Sequence, residues 1–322
     1  MSAELNATQA RAALVEAGRR LAAEGLVARS WGNVSVRLDA HTMAVTPSGI
    51  PWSDLKEEMI SLVNLETGEW TGRWKPSGER KVHREIYRRR ADVAAVVHTH
   101  QNAASACAAA RLPVPTRAGL VPCARYALPG TKALTRATVD ALGEGPAVLM
   151  ANHGVFTVGG DLEEAFARVS ALEAECAAHL AARAPRPLPV RADVPWNGSW
   201  LTAVDPAGIQ QWRSRAPFTL AWSQTGRPLP AVLDDLAQLV GPRVVCHNSP
   251  PRVASPQGAA FVRGEGALVW GPDAEALAMV VEKAARGMLG SEGLGGARPF
   301  PAWEARLMHW VYRHSYAKLA RT

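Results

Sequence analysis

Cysteine is scarce in this chain, with four among 322 residues. Cys107, Cys123, Cys176 and Cys246 are scattered, without the paired spacing of a structural zinc site or a disulfide framework. A reducing cytoplasm suits that pattern. Long apolar runs are also lacking. No stretch reaches the about 18 apolar residues that a membrane-spanning helix needs, so none is expected. The opening Met-Ser-Ala-Glu-Leu-Asn-Ala-Thr has no basic segment followed by an apolar one, so a signal peptide is not expected either. Basic runs interleaved with aromatics are missing too. The formal net charge is +7, but the arginines are spread along the chain. That argues against a nucleic-acid partner and for an anionic small molecule.

What is present is the material of a globular protein. The hydrophobic fraction is 48% and the charged fraction 20%, ordinary values for a chain with a sizeable core. The length suggests two domains. The stretch Val-Ala-Ala-Val-Val-His-Thr-His, from Val93 to His100, reads as a buried strand ending in two histidines. Strand side chains alternate faces, so His98 and His100 point the same way. Two imidazoles so placed suit one metal ion, with Zn²⁺ the default and Mn²⁺, Fe²⁺ or Co²⁺ accepting similar ligands. The plain alternative is one packed histidine and one solvated one.

The chain before that stretch predicts a helix from Thr8 to Glu24 with Thr8 as its cap, then a hairpin. The hairpin's flanking loops hold Gly32-Asn33 and Pro47-Ser48-Gly49. A strand follows over Ile60 to Leu65. Lys75-Pro76-Ser77-Gly78-Glu79 opens a helix to about Arg89, with Ser77 as a plausible cap and a first turn that favours an anion. After His100, helices are expected over Asn102 to Ala110 and Lys132 to Leu142. Ala147 to Met150 is a short strand leading into Asn152-His153-Gly154, another histidine at a strand end. A further strand precedes a long helix that Asp161 caps. Pro185, Pro187, Pro189 and Pro195 read as a linker.

Beyond the linker, Gly266-Ala-Leu-Val-Trp-Gly-Pro-Asp-Ala-Glu echoes Gly154-Val-Phe-Thr-Val-Gly-Gly-Asp-Leu-Glu, with Glu265 where His153 stands. No His-x-His occurs in that half. The expected organisation is therefore residues 1–184 as a metal-binding catalytic domain, 185–200 as the linker and 201–322 as a degenerate copy without metal ligands. Pro230 to Val240 and Trp303 to Leu319 are expected helices in it.

Three histidines at strand ends form the nitrogen set of a catalytic zinc with an open fourth position. Glu79 is a candidate either to occupy that position at rest or to act as an acid/base beside it. Gly-Asn-Val-Ser, Thr-Pro-Ser-Gly, Pro-Ser-x-Glu, His-x-His and Asn-His-Gly, in that order, resemble the class II aldolase/adducin family over about residues 8 to 182. The resemblance implies an α/β fold of three layers, a mainly antiparallel sheet flanked by helices. It implies Zn²⁺ on His98, His100 and His153, with Glu79 as the acid/base. It also implies a substrate phosphate held by Asn33, Ser48, Gly49, Ser77 and Gly78. Oligomers with sites between subunits are common in the family, so a homo-oligomer is expected. Epimerases of the family tend to carry Asp at the Glu79 position, so the glutamate favours the aldolase branch.

Three departures stand out. Gly78 replaces a serine in the phosphate motif. The family's acid tyrosine has no match, Arg117 being the nearest counterpart. The second half has no place in the simple aldolases, and its His314 or Tyr316 are candidates for the missing acid. The expected function is retro-aldol cleavage of a phosphorylated ketose through a metal-stabilised enediolate. A metal-dependent dehydratase, decarboxylase or epimerase is the alternative. A non-catalytic adducin-like scaffold is the further one.

Overall fold

The computed structural model describes residues 6–27, 30–189, 199–204, 209–253, 255–272 and 274–316. The chain divides into two compact units, Met1–Ala104 with Arg111–Ala177 and Ser105–Ala110 with Ala178–Thr322. Most of the expected linker, residues 190–198, lies outside the described residues. Among the described residues no helix is long and apolar enough to cross a membrane.

In chain order the first unit runs α1 (Ala7–Ala23), β1 (Asn33–Arg37), β2 (Thr42–Val45), β3 (Ser61–Asn64), β4 (Trp70–Thr71), α2 (Arg80–Arg89) and β5 (Ala95–Thr99). Helix α3 (Asn102–Ala110) begins in it. A small hairpin, β6 (Val114–Thr116) and β7 (Gly119–Val121), comes next. Then follow β8 (Cys123–Ala124), α4 (Lys132–Leu142), β9 (Ala147–Met150), β10 (Val155–Gly159) and α5 (Leu162–Arg183). The sheet order is β4-β3-β2-β1-β5-β10-β9-β8. The β8–β9 pair is parallel and the other pairs are antiparallel.

Alternation along the strands makes the layers. Val34, Val36, Ala95 and Val97 face α1 and α5 through Leu14, Leu21, Phe166 and Val169. Met43, Val45, Val96, Phe156 and Val158 face α2 and α4 through Val82, Ile86, Leu134 and Val139. The polar residues Asn33 and Ser35 therefore share the α2 side with His98. Helix α1 starts earlier than Thr8, because Asn6 is the cap. Its side chain accepts from the Gln9 amide and the Gln9 side chain accepts from the Asn6 amide, a reciprocal capping box.

The second unit runs β11 (Ser199–Val204), β12 (Gln210–Ser214), α6 (Pro217–Gln224), β13 (Leu229–Pro230), α7 (Asp234–Val240), β14 (Arg243–His247), β15 (Gly258–Val262), β16 (Gly266–Trp270), α8 (Ala274–Gly290) and α9 (Ala302–Val311). Its sheet order is β11-β12-β16-β15-β14-β13. The helix expected from Pro230 begins at Asp234, since Leu229–Pro230 pairs as a strand with Val244 and Arg243. The last expected helix ends at Val311 and continues as a wider turn over Tyr312–Tyr316. Residues 317–319 lie outside the described residues.

The two sheets share a five-strand pattern. β11-β12-β16-β15-β14 has the same succession of antiparallel, antiparallel, antiparallel and parallel pairs as β1-β5-β10-β9-β8. Registers agree too. Val155 lies opposite Leu149 and Thr99, and Ala267 opposite Phe261 and Ser214. In this register Arg213 stands where His98 stands, since they pair with Leu268 and Phe156.

Candidate metal centre

Strand β5 delivers His98 and His100 at its end, as the alternation requires. The tight turn from β9 to β10 delivers His153. Asn152 makes that turn with a φ of 61°, a left-handed conformation that asparagine tolerates well. The Arg111 Nε donates to the Asn152 side-chain oxygen at 2.6 Å and ties the turn down. All three rings are buried. The His98 ring stacks on Phe156 with centroids 4.4 Å apart, and the Trp31 ring lies parallel to His100 at 6.3 Å. Trp31 was not among the expected site residues, because nothing in its local sequence marks it.

The Nε2 atoms converge. His98 Nε2 is 3.0 Å from His100 Nε2 and 3.2 Å from His153 Nε2. The His98 Nδ1 sits 2.9 Å from the carbonyl oxygen of Val155. A carbonyl only accepts, so Nδ1 carries a proton, and Nε2 is the nitrogen turned toward the other two rings and available to a metal ion. Three Nε2 atoms held this close could share one metal ion. Zinc with bonds of about 2.0–2.1 Å in tetrahedral geometry would set its nitrogens about 3.3 Å apart. The three side chains therefore fit such an ion.

Glu79 closes the set. Its carboxylate oxygens lie 3.1 Å from His98 Nε2 and 3.0 Å from His153 Nε2. Burial alone would raise its pKa, but the His98 and His153 imidazoles outweigh it and hold the carboxyl well below the usual range. Glu79 is thus a carboxylate at rest. It occupies the cap position of α2, where a helix start favours negative charge. Ser77, the expected cap, instead accepts from the Glu79 amide at 3.2 Å through its hydroxyl.

Helix α2 lies along β1 and forms a buried polar ladder with it. Asn33 Nδ2 donates to Glu79 Oε2 at 2.8 Å, and Asn33 Oδ1 meets His83 Nε2 at 2.5 Å. His83 Nδ1 meets Ser35 Oγ at 2.6 Å, and Ser35 Oγ meets the Tyr87 hydroxyl at 2.8 Å. His83 and Tyr87 carry no expectation from the sequence. The spacing Glu79, His83, Tyr87 is one helix face, but only the pairing with β1 gives it meaning. Burial, then the charge of His98, pushes the His83 pKa down to about 3, with Glu79 opposing. The unfolded chain's histidine titrates near about 6.5. A lowered folded pKa gives stability that is present above the unfolded value and lost as pH falls toward the folded one. Urea unfolding between those limits should therefore weaken with acid more steeply in the wild type than in His83→Gln, by the equivalent of one proton. Equal slopes would show that His83 charges in the folded state.

The expected phosphate-binding loops come together. Pro47 and Pro76 form an antiparallel bridge, the Ser48 amide donates to the Lys75 carbonyl at 2.9 Å, and the Ser77 amide to Thr46 at 3.0 Å. Ser48 and Ser77 so flank one short ribbon, with Gly49 and Gly78 next to them. Asn33 pairs with His98 across β1 and β5. Arg117 sits in the β6–β7 turn, its amide donating to Glu175 at 3.1 Å. His314 is exposed in the second unit, stacked on Trp310 at 4.6 Å. The Tyr316 side chain lies outside the described residues.

Residues 12–180 match the family model described as the class II aldolase and adducin N-terminal domain. A 5-deoxy-D-ribulose 1-phosphate aldolase of Bacillus thuringiensis is 31% identical over 171 residues, which cover 51% of this chain and 80% of that protein. A 3-oxo-tetronate 4-phosphate decarboxylase of Pectobacterium atrosepticum is 34% identical over 177 residues, 51% of this chain and 81% of that one. Among solved structures, an L-fuculose 1-phosphate aldolase aligns with a TM-score of 0.54 and 30% identity, covering 58% of this chain and 94% of its own. With the fold, the clustered histidines and a family match spanning more than half its length, the chain belongs to the class II aldolase/adducin family.

Proposed function

We propose that this protein is a metal-dependent aldolase that cleaves a phosphorylated ketose to an aldehyde and a phosphorylated three-carbon ketone. The observation that carries this reading is the convergence of the His98, His100 and His153 Nε2 atoms with both Glu79 oxygens within hydrogen-bond reach of them. A divalent ion held there, zinc by the ligand type, supplies a Lewis acid that polarises the substrate carbonyl. Glu79 moves the proton. In synthesis its carboxylate removes one from the carbon beside the carbonyl, and in cleavage it returns one to the enediolate carbon. Asn33, Ser48, Gly49, Ser77 and Gly78 hold the phosphate at the start of α2. His314 and Tyr316 stay candidates for the acid on the aldehyde side. None of the four cysteines is in a disulfide, which fits action in the cytoplasm, and we take the working form to be a homo-oligomer.

Decarboxylation of a phosphorylated 3-oxo acid is the second reading, favoured by the relative from Pectobacterium atrosepticum. Both reactions leave an electron pair beside a carbonyl. Products separate them, an aldehyde in one case and carbon dioxide in the other.

The second unit, on this reading, is a degenerate repeat. Arg213 replaces His98 in register, Glu265 replaces His153 in sequence, and the two form an ion pair at 3.0 Å. A Cβ on Gly154 or on Gly266 would strike the carbonyl of the matching strand residue, Thr99 or Ser214. Glu173 caps the amides of Ala103 and Ala104 in α3, and Glu282 those of Phe218 and Thr219 in α6. Elemental analysis tests both proposals. One metal per chain is expected, lost in His100→Ala. No metal after incubation with Zn²⁺ would defeat the aldolase reading, and two per chain would defeat the silent repeat.

A further inference from the structure

The polar ladder between α2 and β1 is geometrically commensurate. Four helix residues rise about 6.0 Å, and two strand residues about 6.6–6.8 Å. So Glu79, His83 and Tyr87 step along the helix at nearly the pace of Asn33 and Ser35 along the strand. Each strand side chain lies between two helix side chains. Asn33, Ser35, His83 and Tyr87 are all less than 5% exposed, so water does not supply their partners.

Directions along the ladder follow from chemistry. Asn33 Nδ2 donates to Glu79 Oε2 at 2.8 Å, so the Asn33 carbonyl oxygen is the atom that meets His83. That oxygen only accepts, so His83 Nε2 must carry a proton. The uncharged ring then accepts at Nδ1, and Ser35 Oγ donates to it. The Tyr87 hydroxyl donates to Ser35 Oγ, 2.8 Å away, and the Ser35 carbonyl oxygen at 3.0 Å shares the same proton. Reversing any one member would set two acceptors or two donors face to face in a buried site, which is costly.

We propose that His83, as the uncharged Nε2–H tautomer, is a positioning residue for Glu79: it fixes the Asn33 amide so that its NH₂ holds the Glu79 carboxylate against the histidine cluster. This rests on Glu79 being the acid/base of the proposed reaction. Without the His83 donor, the Asn33 amide loses the anchor on its carbonyl side, and the carboxylate that its NH₂ holds is free to drift from the histidine cluster. A misplacement of about 1 Å at a reacting group costs on the order of 10²-fold in rate.

The test joins nitrogen NMR of the histidine side chains with kinetics of three variants of the full chain. The His83 signal, identified by its loss in His83→Leu, should report the Nε2–H tautomer with and without added Zn²⁺. The Asn33 side-chain NH₂ signals should move in His83→Leu and stay near wild type in His83→Gln, which keeps a donor. kcat on the cleaved ketose phosphate should fall by about 10²-fold in His83→Leu with KM little changed, and recover to within a few-fold in His83→Gln. Ser35→Ala leaves His83 and its packing in place. It should admit the Nδ1–H tautomer and lower kcat as well, which keeps the test decisive should His83→Leu misfold. An Nδ1–H tautomer in the wild type would overturn the proposal. So would unmoved Asn33 signals and unchanged kcat in both His83→Leu and Ser35→Ala. A wild type that cleaves no sugar phosphate would instead defeat the aldolase reading, and the NMR result alone would then decide the role of His83.

Discussion

Glu79→Gln is expected to lower kcat by about 10²–10⁴-fold, the usual contribution of a positioned acid/base, while the protein keeps its metal. Glutamine has nearly the same shape, and its carbonyl oxygen can still accept from Asn33 Nδ2, which now donates at 2.8 Å. The three histidines are untouched, so the ion retains three ligands. What is lost, on the proposed reaction, is the charge that would remove a proton from carbon. His98→Ala should differ in kind, because it removes a nitrogen that lies 3.0 Å from His100 Nε2 and 3.2 Å from His153 Nε2, and metal and activity should leave together. Metal content and kcat measured on both variants separate the two roles. A Glu79→Gln protein that is metal-free would make Glu79 an obligatory ligand, and one that is fully active would remove it from the chemistry.

The second large effect is expected at a residue with no side chain. A Cβ on Gly154 would strike the Thr99 carbonyl oxygen and lie 3.1 Å from His98 and 3.3 Å from His100. Backbone cannot swing aside as a flexible side chain does, so β10 must shift from β5 where the ligands are anchored. Overpacking of a tight interior costs about 1–3 kcal/mol and at times more, and here it also breaks the alignment of the histidines. Gly154→Ala should therefore lower the urea midpoint clearly and lose metal. Gly32 guards the other flank, with φ at 82° and a would-be Cβ 2.6 Å from the His98 carbonyl oxygen. A Gly154→Ala protein of normal stability and metal content would show that the two strands can separate without harm.

Much of this site is legible in the chain because its chemistry repeats at the period of its element. Residues two apart on β5 had to share a face, and the structure sets His98 and His100 Nε2 3.0 Å apart. The layers follow equally from alternation, with Val34 and Val36 on one side and Asn33 and Ser35 on the other. Helix α4 runs from Lys132 to Leu142 as its pattern requires, capped by Thr131. Caps were harder, since Asn6, Thr8 and Ser77 all have suitable side chains, and only the chain's path selects Asn6 and leaves Ser77 serving the Glu79 amide. The β6–β7 hairpin was hidden by Pro113 and Pro115, which mark the end of a helix but not the pair of strands beyond it. The ladder was invisible for a deeper reason. His83 and Ser35 each obey the rules of their own element, and nothing local says that the two elements lie against one another.

The member of the ladder next to Glu79 is an amide, and an amide orients a neighbour without handing on a proton. Behind Asn33 stand an imidazole, a hydroxyl and a phenol, all able to relay protons, yet the link to the carboxylate is broken at its first step. A proton on Glu79 therefore cannot pass along the ladder, and its other neighbours are the His98 and His153 Nε2 atoms, 3.1 and 3.0 Å away. On the proposed reaction it goes back to the substrate or out to solvent, since the Glu79 side chain is 18% exposed. In deuterated water, the rate at which a bound substrate exchanges hydrogen for deuterium thus becomes a clock for the opening of the site.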